Sequence, residues 1–207
     1  PTPLVATRPV PRWKRALDLT FVFAALPTLL PIFLVIALAV RLSGPGGVFF
    51  VQTRIGHGGK PFGMIKFRSM YADAEARRAA LLAQSDREGI CFKSRNDPRI
   101  TPVGRILRRC SLDELPQLIN VWRGEMSLVG PRPALPEEVR AYPQPALERL
   151  SVLPGITGLW QVCGRAEIGF EEMVELDLRY AQDGRLSFDL QILWRTVSAV
   201  MSGRGAY

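Results

Sequence analysis

The stretch LTFVFAALPTLLPIFLVIALAV, residues 19–40, contains no charged side chain. As a straight helix it would be about 33 Å long, enough to cross the hydrocarbon core of a bilayer. A secretory signal peptide is disfavoured, because no small-x-small cleavage site follows and the downstream chain is not rich in cysteine. This stretch therefore predicts a membrane helix, and the rest of the chain is arranged around it.

Two prolines and the flanking charges bear on the path of this helix. Pro27 and Pro31 each remove a helix hydrogen bond and bend the axis. Basic residues lie at both ends, namely Arg12, Lys14, Arg15, Arg41 and Arg54. Since both ends then favour the cytoplasmic face, a re-entrant helix that enters, breaks near Pro31 and returns fits the pattern. The alternative is a kinked helix that crosses the membrane, with neighbouring groups satisfying its freed carbonyls.

The positive charge of the chain is concentrated in its first third. The formal net charge is +8; residues 1–70 hold nine Lys and Arg side chains and one acid, Asp18, and the remainder is balanced. This charge brackets the apolar stretch, so it favours contact with anionic membrane lipids. A non-catalytic adaptor that binds such lipids is an alternative to an enzyme. Nucleic-acid binding is disfavoured, because no basic recognition helix or aromatic-basic surface accompanies the charge.

The cysteines and the histidine exclude several kinds of site. Cys91, Cys110 and Cys163 are odd in number and match no metal-ligand spacing, so we expect reduced thiols in a cytoplasmic setting. His57 is the single histidine and lies in a Gly-rich loop. A zinc site or a Ser-His-Asp triad is therefore disfavoured.

A small β-hairpin is predicted directly after the apolar stretch. SGPGG, residues 43–47, has the composition of a turn. VFFVQTRIG (48–56) and PFGMIKFRS (61–69) are rich in aromatic and branched residues, which is typical of strands, and a Gly-rich segment joins them.

The remainder of the chain alternates between helical and irregular segments. Helices are predicted at 70–84, 102–110, 113–122, 169–182 and 188–202, the last with Ser187 as its N-cap. Irregular segments are predicted at 85–101, 124–136 and 154–165. The fold class is thus α+β and mainly helical.

The helices at 102–110 and 113–122 are amphipathic. Val103 and Leu107 recur at helical spacing in the first, as do Leu118 and Trp122 in the second. Helices lying in a membrane interface have this pattern, and so do helices that pack on a globular core. The neighbouring apolar stretch favours the interface.

Two adjacent acids follow a pair of arginines in RRCSLDELPQ, residues 108–117. Ser111 and Glu114 match the S-x-x-E capping box, with Asp113 as an acid of the first helical turn. The same helix start would also bind a phosphate, with Arg108 upstream and Arg132 downstream. An ionised Asp113 in such a place can attack phosphorus. Its charge would repel a diphosphate, so Mg²⁺ bound at Asp113 is the expected cofactor.

An ordered series of motifs extends these observations over most of the chain. They are KRALD (14–18), GPGGVFFVQTRIG (44–56), KPFGMIKFRSM (60–70), ITPVGRILRRCSLDELPQLINVWRGEMSLVGPRP (100–133), PGITGLWQVCGR (154–165) and GRGAY (203–207). The series resembles the bacterial sugar transferases, or monotopic phosphoglycosyl transferases. The resemblance implies transfer of a sugar-1-phosphate from a UDP-sugar to polyprenyl (undecaprenyl) phosphate, with release of UMP, as the first step of surface polysaccharide synthesis.

The resemblance also implies roles for individual residues. Asp113 corresponds to a nucleophile that forms a covalent phosphosugar intermediate, and Glu114 is its partner in proton transfer or at the Mg²⁺ site. The residues matched to the diphosphate, the polyprenyl phosphate or the nucleotide are Lys66, Arg108, Pro131, Arg132 and Pro133. Pro31 matches the proline that breaks the re-entrant helix, and Pro27 shares the break, since Leu30 stands where some members have Ser.

The implied organisation has three parts. Residues 1–13 are an N-terminal segment, compatible with further chain before Pro1; residues 14–42 form the re-entrant membrane helix; and residues 43–207 form the catalytic domain. The resemblance places the domain on the cytoplasmic face of the bacterial inner membrane. Expected partners are the UDP-sugar, polyprenyl phosphate and anionic lipids, with a homodimer left open and no nucleic acid.

Overall fold

The computed structural model describes residues 4–74, 76, 97–164 and 168–202. Its helices are α1 (Arg12–Leu42), α2 (Pro102–Arg109), α3 (Gln117–Arg123), α4 (Pro136–Arg140), α5 (Gln144–Leu147), α6 (Leu159–Cys163), α7 (Phe170–Gln182) and α8 (Leu186–Ser202). Its strands are β1 (Phe49–Ile55), β2 (Pro61–Phe67), β3 (Ser127–Val129) and β4 (Gly155–Thr157).

The fold is mostly helical with a small hairpin, as predicted. The helix predicted at 70–84 and the loop predicted at 85–101, with Cys91, lie mostly outside the described residues.

The predicted hairpin is confirmed. Strands β1 and β2 pair antiparallel from Phe49 opposite Phe67 to Ile55 opposite Pro61. The free edge of β2 is covered by a side chain of α3. Asn120, which is fully buried, accepts a hydrogen bond from the Ile65 N–H at 3.0 Å and donates one to the Gly63 carbonyl at 2.8 Å. The hairpin is thereby fixed against α3.

A second, parallel pair of strands lies in segments that were predicted to be irregular. Strand β3 falls within 124–136 and β4 within 154–165, and they pair through Ser127 with Gly155 and Val129 with Thr157. Glycines let the two backbones meet, since a Cβ on Gly155 would lie 2.1 Å from the Gly130 nitrogen. The prediction was wrong because three-residue strands are too short to show a periodic pattern.

Helix α1 runs for 31 residues through both prolines. The predicted division into two helices is therefore not seen, because Pro27 and Pro31 lie inside one helix. Among the described residues this is the one helix long and apolar enough to cross a membrane. Most of its central side chains are exposed, and they include large apolar ones: Phe21, Phe23, Leu26, Leu30, Ile32, Leu34 and Val35.

Both ends of α1 contact the globular part of the chain. Near its N-terminus, Lys14 donates to the Val129 carbonyl at 2.9 Å and to the Asp189 carboxylate at 2.5 Å. One turn later, the Asp18 carboxylate accepts from the Leu128 N–H at 2.9 Å. Near its C-terminus, Ile36 and Val40 are buried in an apolar cluster with Phe67 and Leu107.

Arginine side chains bind carbonyl groups at the ends of helices. Arg68 is buried and donates to the Val40 carbonyl at 2.9 Å, in the last turn of α1, and to the Gly44 carbonyl at 2.8 Å. Arg15 donates to the Trp122 carbonyl at 2.6 Å, in the last turn of α3. Cations are favourable there, because the last carbonyls of a helix lack partners and carry partial negative charge. Part of the basic excess assigned to lipid contact thus holds the fold together.

The apolar faces of α2 and α3 are divided between core and surface. Leu107 is buried in one apolar cluster and Leu118 packs against another, while Ile106 and Trp122 are 65% and 54% exposed. Core packing therefore explains part of each amphipathic pattern.

Two predicted helix starts were wrong. The helix predicted from Asp113 begins at Gln117, and Ser187 lies inside α8 instead of capping it. The 169–182 prediction matches α7 closely. Cys110 and Cys163 are free thiols, as expected.

Candidate active site

The two adjacent acids lie in a 3₁₀ turn, Leu112–Glu114, between α2 and α3. The residue before it, Ser111, has φ 55° and ψ 20°, in the left-handed region, and its side chain makes no capping hydrogen bond. The capping box, one of the two alternatives for Ser111 and Glu114, is therefore absent. An N-cap residue needs extended backbone angles, which Ser111 does not have.

Glu114 turns instead towards the hairpin. Its Oε1 accepts from Lys66 Nζ at 2.7 Å and lies 3.6 Å from Arg132 Nη1. Burial alone would raise the pKa of Glu114, but Lys66 and Arg132 outweigh burial and lower it to about 2. Glu114 is thus an ionised carboxylate that brings two cations together.

Asp113 is buried beside this ion pair, with 7% of its surface exposed. Burial raises the pKa of Asp113, Lys66 lowers it, and the negative charge of Glu114 raises it. Within the described part of the chain, no cation forms an ion pair with the Asp113 carboxylate. Nearby cations therefore affect the pKa of Asp113 through the electric field, although none of the described ones forms an ion pair with it.

Arg108 is positioned by the close approach of α2 to the end of the hairpin. A Cβ on Gly104 would lie 1.9 Å from the Ser69 carbonyl oxygen, so only glycine allows this contact. One turn later, Arg108 Nε donates to Ser69 Oγ at 2.9 Å. Asp113 favours the charged form of Arg108, although burial lowers the pKa of that guanidinium overall.

The Pro131–Arg132–Pro133 loop brings the third cation to the site. Both prolines are buried, and Arg132 is part-exposed with its guanidinium towards Glu114. The Pro133 carbonyl accepts from Arg54 Nη1 at 3.0 Å. Burial, and then Arg132, lowers the pKa of Arg54 to about 10.

The structure gathers the sequence-predicted polar residues around one carboxylate pair: Lys66, Arg108, Asp113, Glu114 and Arg132. Pro27 and Pro31 are exposed residues in the middle of α1 and are not part of this group. Arg54 was missed as a site residue, because beside an apolar stretch it was interpreted as a flanking charge. The sequence did offer a sign of another role for Arg54, because a charged residue inside a predicted strand is close to the folded domain.

The chain matches a family model described as bacterial sugar transferase over residues 10–203. The exopolysaccharide production protein ExoY of Rhizobium meliloti is 40% identical over 198 residues, which cover 94% of this chain and 88% of that protein. The chain belongs to the bacterial sugar transferase family.

Two further relatives of this sugar transferase are longer proteins. The UDP-glucose:undecaprenyl-phosphate glucose-1-phosphate transferase of Escherichia coli is 42% identical over 202 residues, which cover 94% of this chain and 41% of that protein. The undecaprenyl-phosphate galactose phosphotransferase of Salmonella typhimurium is 38% identical over 201 residues, with the same two coverages. The chain therefore spans about two fifths of these proteins and most of ExoY.

The donor set of this sugar transferase limits how a metal ion could bind. Across the described residues, no group of three or more His, Cys, Asp or Glu side chains could hold a metal ion. Glu114 is engaged by two cations, whereas Asp113 has no such partner among the described residues. One carboxylate together with substrate phosphates is a usual set of ligands for Mg²⁺. Asp113 fits such a site.

The left-handed Ser111 gives a direct test of the turn that carries Asp113. We expect Ser111→Ala to change the free energy of unfolding by less than about 0.5 kcal/mol, because no capping hydrogen bond is lost. Thr101→Ala is the matched control, since Thr101 Oγ1 does accept from the Gly104 N–H at 2.9 Å. That change should cost about 1 kcal/mol. Unfolding midpoints in detergent measure both, and an equal loss at the two positions would contradict the assigned turn.

Proposed function

We propose that this sugar transferase moves a sugar-1-phosphate from a UDP-sugar to polyprenyl phosphate and releases UMP, the first step of surface polysaccharide synthesis. One observation carries the proposal. Asp113 is a buried carboxylate whose neighbours are cations, but none of the described ones is paired with it directly. The names of two relatives support the substrate class, since they specify undecaprenyl phosphate together with glucose or galactose.

In the first step, an oxygen of Asp113 attacks the phosphorus that carries the sugar. The bond from this phosphorus to the bridging oxygen breaks, and UMP leaves with that oxygen and the electron pair. The product on the enzyme is an aspartyl phosphosugar. Burial of Asp113 favours this step, because a poorly hydrated carboxylate is a better nucleophile than one surrounded by water.

In the second step, an oxygen of polyprenyl phosphate attacks the same phosphorus. The bond to Asp113 breaks, and its electron pair returns to the carboxylate. The product is a polyprenyl diphosphosugar, so the overall reaction needs no oxidant, reductant or water. The same cations serve both steps, because both place negative charge around one phosphorus.

The cations divide into a tightly held and a more accessible group. Lys66 is held at 2.7 Å by Glu114, while Arg132 lies at 3.6 Å and has 38% of its side chain exposed. Arg132 is thus the cation best able to bind the diphosphate, in the bidentate manner of a guanidinium. Glu114 stays ionised and holds the two cations in place. With a pKa of about 2, it is a poor proton donor.

Asp113 and the substrate phosphates would hold Mg²⁺. When bound, this ion would offset the negative charges of the carboxylate and the diphosphate. The cations of the chain carry part of that task, since Lys66, Arg108 and Arg132 all favour the charged form of Asp113.

The proposed path of α1 is re-entrant. A helix that crossed a bilayer would place its two ends on opposite faces, whereas both ends of α1 contact the same globular part through Lys14 and Val40. The exposed apolar middle with Pro27 and Pro31 supports a bend within the membrane. The catalytic domain would then lie on the cytoplasmic face, against anionic lipids.

Replacing the nucleophile tests the covalent mechanism. We expect Asp113→Asn to lower UMP release by about a thousandfold or more, because the amide cannot attack phosphorus. The assay supplies undecaprenyl phosphate with UDP-glucose or UDP-galactose, and a labelled sugar reports the covalent intermediate. Asp183→Asn is the matched control, since Asp183 pairs with Arg185 at the surface. Full activity and labelling in Asp113→Asn would sink the nucleophile assignment.

Removing divalent ions tests the metal. We expect a chelator to abolish UMP release and excess Mg²⁺ to restore it, because the charge of Asp113 would otherwise repel the diphosphate. Chelator already saturated with Mg²⁺ is the control. Unchanged activity in free chelator would overturn the metal site.

Cysteine labelling tests the path of α1. Single cysteines are placed at Ala6 and Gly47, exposed positions before and after the helix, in a chain whose native cysteines are replaced by serine. In spheroplasts, we expect an impermeant maleimide to label neither position until the membrane is permeabilised, because both ends lie inside. Labelling of one position from outside would show a crossing helix.

A further inference from the structure

The backbone of the loop that carries Arg132 is held at every carbonyl. The Pro131 carbonyl accepts from the Gly155 N–H at 2.9 Å, and the Ala134 carbonyl accepts from the Ile55 N–H at 2.9 Å. Between them, the carbonyls of Arg132 and Pro133 accept from arginine side chains. Their donors are Arg149 Nη2 at 3.2 Å and Arg54 Nη1 at 3.0 Å.

Arg149 reaches the loop from a fully enclosed position. It is 3% exposed, donates to Tyr142 Oη at 2.8 Å, and forms an ion pair with Asp177 of α7, which is completely buried. Arg149 remains protonated at neutral pH, so an anion beside it is required. Asp177 supplies that anion from an element distant in sequence from the loop.

Burying the charged Arg149–Asp177 pair in this space costs free energy, because both groups lose their hydration. Oδ1 of Asp177 has no hydrogen-bond partner among the described residues. Burial raises the pKa of Asp177 to about 6, although Arg149 opposes this. Apolar side chains of similar size are often as stable as a buried ion pair. An apolar pair could not, however, donate to the Arg132 carbonyl.

We propose that Arg149 and Asp177 are positioning residues, which hold the Arg132 backbone so that its guanidinium faces the substrate diphosphate. Asp177 orients Arg149, Arg149 binds the Arg132 carbonyl, and Arg132 approaches Glu114 next to Asp113. This inference rests on the proposed function. It extends the site to a buried ion pair behind the Arg132 loop, beyond the residues assigned to the substrate.

The test compares kinetics in variants that remain folded. Arg149→Met with Asp177→Leu removes both charges together and should keep an unfolding midpoint near that of the unchanged chain. We expect kcat/KM for the UDP-sugar to fall about 10- to 100-fold, because a small misplacement of a binding group has an effect of this size. The matched control is Arg185→Met with Asp183→Asn, an exposed ion pair of similar length, with unchanged kinetics expected.

A mutant cycle with Arg132→Gln separates positioning from a general loss of structure. If the pair acts through Arg132, removing the pair in the Arg132→Gln background should lower kcat/KM by less than about twofold further. Equal losses in both backgrounds, or wild-type kinetics in the folded pair variant, would overturn the proposal. Should the double variant not fold, Arg149→Lys keeps the charge beside Asp177 but lacks the planar fork, and the same cycle is run with it.

The outcomes also separate this inference from the proposed function. If the chain without substitutions released no UMP in the assay, the proposed function itself would be contradicted. An active chain in which Arg132→Gln is impaired, but the folded pair variant is not, would contradict the positioning role alone.

Discussion

The ion pair between Lys66 and Glu114 links the hairpin to the turn that carries Asp113, the proposed nucleophile. It joins β2 to a 3₁₀ turn 48 residues away in the sequence. The carboxylate of Glu114 is thereby engaged by cations, namely Lys66 and Arg132. Asp113, the next residue, is thereby left buried near positive charge without a direct ionic partner among the described residues. Two adjacent acids thus differ in state because their surroundings differ, one with a lowered and one with a raised pKa. Removal of either partner alone would leave a buried cation or a buried anion without its counter-charge, which is strongly unfavourable.

Several basic side chains, most of them buried, donate hydrogen bonds to backbone carbonyls. Arg68 binds the end of α1, Arg15 binds the end of α3, and Arg149 and Arg54 bind the loop of Arg132. Carbonyls at helix ends and in proline loops lack neighbouring N–H partners, so a long cationic side chain is an effective donor. The long apolar helix α1 and the loop of Arg132 are therefore fixed to the domain by the same kind of contact.

Sequence patterns predicted the parts of this fold that repeat over several residues. The branched residues of β1 and β2 and the periodicity of α7 were sufficient for the hairpin and the helix. They failed for β3 and β4, each three residues long, and they left open whether Ser111 and Glu114 form a capping box, which the structure does not have. Glu114 finds a stronger partner in Lys66, and a local motif cannot reveal a competitor distant in sequence. Likewise, motif and resemblance suggested Asp113, Arg108 and Arg132 as candidate site residues. Arg149 and Asp177 were not suggested, because they act through a backbone carbonyl and every residue type has one.

The side chain of Asn120 has a consequence for how copies of this chain can associate. Its amide occupies the donor and acceptor groups of Ile65 and Gly63, which a neighbouring strand would otherwise use. The side chain thus takes the place that a third strand would have at these two residues. Asn120 Nδ2 also donates a hydrogen bond to Glu125 Oε2 at 2.7 Å, which fixes the amide. Strand addition at this edge is thus blocked, which removes one route to aggregation. Two copies of this chain could not pair by continuing the sheet across β2 at these residues.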